Sequence, residues 1–107
     1  MNPVVKQFDR YTVHYGTVSD RDAPNREYVR VDCFYRKKKA GQILFGNSVN
    51  PGNYASVNND EINLYFPLLH FSNIHSLLQK VSSGKLALYV EFEPSGDPST
   101  GGVRREV

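Results

Sequence analysis

The strongest chemical pattern in the chain lies between residues 28 and 39. Tyr28, Arg30, Phe34 and Arg36 alternate along one face of a period-two segment, and Lys37, Lys38 and Lys39 follow at once. Rings set among cations on a sheet suit single-stranded nucleic acid, because bases stack on the rings while cations follow the phosphates. Asp32 stands in the middle of that face and opposes phosphate. The same residue types also favour protein contact, since Tyr, Phe and Arg are enriched at interface centres. A lysine run at a hairpin turn is, in addition, ordinary protection of a sheet edge.

The other candidate groups are weaker. His14, His70 and His75 offer no i, i+4 pair and no metalloprotease spacing, so no metal site is expected. Cys33 falls on the apolar face of its segment and reads as a small buried hydrophobe rather than a nucleophile. Glu91 and Glu93 share one strand face, a spacing that would bring two carboxylates together for acid–base work; a solvated face explains them as well. Asp20 and Asp22 flank Arg21 as turn residues. The glycines follow no phosphate-loop pattern, so no cofactor is expected. The ending Arg-Arg-Glu-Val fits terminal-carboxylate capture only loosely.

These residues need a scaffold. Residues 6–18 alternate as a strand through Tyr11, Val13 and Tyr15. Residues 26–37 form the clearest strand, with Val29, Val31, Cys33 and Tyr35 toward a core and Tyr28, Arg30, Asp32, Phe34 and Arg36 toward solvent. Residues 37–41 turn into a short strand over 42–45. Residues 46–60 hold five Asn, two Gly and one Pro and read as a long loop. Asn47, Asn50, Asn53 and Tyr54 are its candidate ligand contacts, because loops on a rigid sheet often carry binding groups. A strand resumes over 61–66. Ile74, Leu77, Leu78 and Val81 then make a helical stripe between an N-cap at Ser72 and a stop at Gly84, with residues 68–71 as an added turn. Residues 86–92 alternate as the last strand. Residues 94–107 are rich in Pro, Ser and Gly and read as a tail that packs no core.

The expected fold is α+β: a curved, mainly antiparallel five-stranded sheet in β-β-β-β-α-β order, with one helix on one face. Residues 1–93 would form a single domain. The expected core is Val29, Val31, Tyr35, Leu64, Ile74, Leu77, Leu78, Leu88 and Val90. At 107 residues the chain has the size of one domain that folds without metal or disulfide staples. Residues 1–39 carry nine Lys/Arg against five Asp/Glu, and residues 40–107 carry four against six. The net charge of +2 is too small to demand a polyanionic partner. One cysteine and no apolar leader suggest the cytoplasm, and no apolar run approaches a membrane span.

A short helix cannot bury seven Tyr and six Phe in one monomer. The expectation is therefore a non-enzymatic binding or interaction module that works as a homodimer, its ligand unspecified. Single-stranded nucleic-acid binding through the basic-aromatic face is the alternative. A small enzyme without a recognisable catalytic motif comes third.

Overall fold

A computed structural model describes residues 2–18, 26–46, 55–79 and 85–106. The strands are β1 (Val4–Phe8), β2 (Arg10–Val18), β3 (Arg26–Tyr35), β4 (Lys38–Gly46), β5 (Ala55–Asn58), β6 (Glu61–Pro67), β7 (Lys85–Phe92) and β8 (Pro98–Glu106). A 3-10 turn (Leu68–His70) leads into the helix α1 (Phe71–Leu78). The protein is α+β and mostly strand. The expected single sheet is in fact two among the described residues. One has five strands in the order β2-β3-β4-β6-β5, and the other has three in the order β1-β7-β8. The five-stranded sheet is mixed, because β4 and β6 run parallel while its other pairs are antiparallel.

The expected first strand breaks at Asp9. Val4 and Phe8 lie at even positions, whereas Tyr11, Val13 and Tyr15 lie at odd ones, so the apolar phase slips between them. Phe8 is buried between the sheets and β1 pairs with β7, while β2 pairs with β3. Asp9 fastens the corner. Its backbone N–H donates to Phe34 O at 2.9 Å, and its Oδ1 accepts from the Arg36 N–H at 3.3 Å.

Two segments read as irregular are strands. Within 46–60, β5 pairs with β6 across a two-residue turn in which Asn59 and Asp60 have φ of 53° and 64°. Both positive values suit a type I′ hairpin, which Asn and Asp tolerate. Within 94–107, β8 pairs antiparallel with β7, and Val103 packs against the core. Gly101 is there because the sheets nearly touch. A Cβ on it would sit 2.8 Å from Ala55 Cβ and 2.8 Å from Leu64 Cδ2.

The core lies between the sheets. Val29, Val31, Cys33, Ile43, Phe45, Ile62 and Leu64 from the five-stranded sheet meet Phe8, Leu86, Leu88 and Val90, and Leu78 of α1 closes the cluster. Of the expected core, Ile74 and Leu77 are partly buried, and Tyr35 is 37% exposed because β3 runs past the core into the turn. The helix starts at Phe71, so Ser72 is not its N-cap; the residue before the helix, His70, makes no side-chain cap bond. The Ser72 carbonyl instead accepts from Ser76 Oγ at 2.9 Å. Val81 and Gly84 lie outside the described residues. Among the described residues, no helix is long and apolar enough to cross a membrane.

Candidate functional site

The three-stranded sheet and α1 both pack on one side of the five-stranded sheet. No described element covers the other side. Strand pairing sets a polar row across it: Thr12, Asp32, Gln42, Asn63 and Ser56 stand in register on five successive strands. Of this row only Asp32 had drawn notice in the sequence, where it was expected in solvent. It is instead 7% exposed. A buried carboxylate needs partners to offset its lost hydration, and three basic side chains enclose it. His14 Nε2 and Arg30 Nε lie 3.2 and 3.3 Å from Oδ2. Lys39 Nζ lies 3.2 Å from Oδ1, an ion-pair distance without hydrogen-bond geometry. Asp32 is therefore an anchor for cations and not an open general base.

The expected binding residues divide. Tyr28, Arg30, Phe34 and Lys39 belong to this open face. The rings have partners within the chain. The Arg10 guanidinium lies 4.9 Å from the Phe34 ring centroid, and the Tyr28 ring lies across Gly16 on β2. The other three leave the face at the β3–β4 turn. Arg36, at φ 59°, sets its guanidinium over Tyr35, Lys37 is exposed at the turn, and Lys38 reaches Asp60 at 3.5 Å. Asn47, Asn50, Asn53 and Tyr54 lie outside the described residues.

Lys38 helps to line a cleft of about 240 Å³ with Val5, Lys6, Tyr35, Lys39 and Asp60. Asp60 is carried there by the β5–β6 turn and meets Lys6 Nζ at 2.6 Å. The hydrogen bond and charge of Lys6, helped by Lys38, hold its carboxyl below the usual aspartate range. A carboxyl depressed on folding adds stability above its unfolded pKa, and that stability is lost as pH falls through the folded value. Asp60 is exposed, so solvent screens the effect. In Lys6→Met the Asp60 pKa should rise toward its ordinary value, and a carboxyl-detected NMR titration measures the shift.

The remaining candidates do not converge. His75 stacks on Phe71 at 5.1 Å, and His70 is exposed. Glu91 stays on β7, but Glu93 has left the strand and donates its N–H to Asp97 O. Among the described residues, no group of three or more His, Cys, Asp and Glu could hold a metal ion. Burial and, less strongly, the Asp32 charge push the Cys33 thiol up to about 12, against a smaller lowering by Lys39. The reactive thiolate is therefore scarce at neutral pH. Native protein at pH 7.5 should resist a thiol reagent, and labelling should appear in urea in step with unfolding. Prompt labelling of the native state would contradict the burial. Comparison with protein-family models, curated proteins and solved structures finds no match for this chain.

Proposed function

We propose that the protein is a non-enzymatic interaction module that works as a homodimer in the cytoplasm. The observation that carries this reading is at the edge of the five-stranded sheet. Val13 and Tyr15 alternate in phase with the core, yet they are 42% and 67% exposed because the covering elements stop short of β2. Such side chains suit a protein partner better than water. The cluster that Asp32 forms with His14, Arg30 and Lys39 is taken up by its own ion pairs, which favours binding over catalysis. Sedimentation equilibrium at micromolar concentration tests the dimer. The expected result is a concentration-dependent mass rising to twice 12.1 kDa. A constant mass of 12.1 kDa would end this reading.

The open sheet face favours a second reading, single-stranded nucleic-acid binding through Arg10, Tyr28, Arg30, Phe34 and Lys39. Binding of a fluorescent oligonucleotide that weakens steeply with salt would support it. No binding at low salt would remove it.

A further inference from the structure

The two sheets leave four edge strands, and three of them carry features that discourage pairing with another chain. β5 has only four residues. β1 has five, follows Pro3 and carries Lys6. β8 opens on Pro98 and carries Arg104 and Arg105 near its end. Short length, proline and charge are the usual defences of a sheet edge. β2 has none of them beyond its first residue. It runs nine residues, pairs with β3 without a register shift, and from Tyr11 to Val18 contains no Pro, Lys, Arg, Asp or Glu. Among the described residues no strand lies on its outer side.

We propose that β2 is the dimer contact, with two copies joined edge to edge and antiparallel about a twofold axis at His14. This rests on the homodimer reading above and specifies its surface. The occupant is a second copy because the strand is complementary to itself. A twofold at His14 pairs all nine residues. Moving the axis by one residue removes two of those pairs. Directly opposed residues share a face in an antiparallel ladder, so Val13 of each copy stands opposite Tyr15 of the other. Aromatic and β-branched residues make favourable cross-strand pairs. Arg10 falls opposite Val18, so the cations at the two ends never oppose each other. The ladder joins the two five-stranded sheets into one of ten strands. On its inner side the Val13 and Tyr15 side chains of the two copies stand beside one another.

Four proteins test the contact. Wild type should reach dimer mass at micromolar concentration. Val13→Lys places a charge on the edge at a part-exposed position. It should keep the wild-type circular dichroism and sediment at 12.1 kDa where wild type is dimeric. His14→Cys should form a disulfide-linked dimer under mild oxidation, since opposed residues at Cα distances of about 4.5–5.5 Å fall within disulfide reach. Thr17→Cys is the register control. Its two copies would lie six residues apart along the ladder, about 20 Å, and should not cross-link. A dimeric wild type whose Val13→Lys variant stays dimeric and whose His14→Cys variant does not cross-link would overturn the β2 contact while leaving the homodimer in place. Equal cross-linking of both cysteine variants would overturn the register. A monomeric wild type would overturn both readings.

Discussion

Replacing Phe45 with alanine should lower the free energy of unfolding by about 3–5 kcal/mol. Phe45 is fully buried on β4, at the point where the sheet, the 3-10 turn and α1 come together. Its ring meets the Phe71 ring edge-on at 5.2 Å and lies 5.9 Å from the Phe66 ring. Truncation removes the transfer energy of one aromatic side chain, two ring–ring contacts and the support beneath the first turn of the helix. The surroundings can collapse only partly, because β4 is clamped between β3 and β6. A Cβ at Gly41 on the same strand would stand 2.0 Å from the Ile62 carbonyl oxygen, which shows how little β4 can move toward β6. Urea unfolding followed by tyrosine fluorescence measures the loss. A change below about 1 kcal/mol would mean that Phe45 is not packed as described.

Leu78→Ala should cost about 2–5 kcal/mol. Leu78 is the fully buried residue of α1, while Ile74, Leu77 and Phe71 only flank the core. An eight-residue helix does not persist alone in water, so its docking and its existence stand or fall together. The variant should therefore lose helical signal below the main transition, and the amides of residues 75–78 should exchange faster than those of β3. A loss spread evenly over α1 and β3 would show instead that the helix and sheet open as one unit.

The sequence displayed some of this architecture and hid the rest for physical reasons. β3 and β7 were legible because a dry face recurs at every second position, through Val29, Val31 and Cys33 in one and Leu86, Leu88 and Val90 in the other, so alternation reports them directly. The helical stripe marked α1 through Ile74, Leu77 and Leu78. Two sheets were harder to see than one. The break at Asp9 leaves only a change of parity between Phe8 and Tyr11, and strand propensity continues across it. β8 was hidden by Gly101 and Gly102. Glycine reads as a loop, but at Gly101 it permits close contact between sheets. β5 was hidden by Ser56 and Asn58, whose polarity fits an outer edge, although Asn59-Asp60 is a hairpin signal in its own right. At the open face, alternation grouped Tyr28, Arg30 and Phe34 correctly. It could not show that Asp32 would be enclosed, because His14 and Lys39 come from neighbouring strands and only register unites them.

The position of β7 bears on how the chain reaches this state. Its neighbours are β1, from the start of the sequence, and β8, from the end, with Val4 opposite Val90. A growing polypeptide can zip β2, β3 and β4 together as successive hairpins of low loop-closure cost. β1 has no partner until β7 has been made. Until then Phe8 and the part of the inner face that α1 does not reach stay uncovered. Contacts of such long sequence separation slow the final step, and this half-built sheet is the species that a chaperone would be asked to shield.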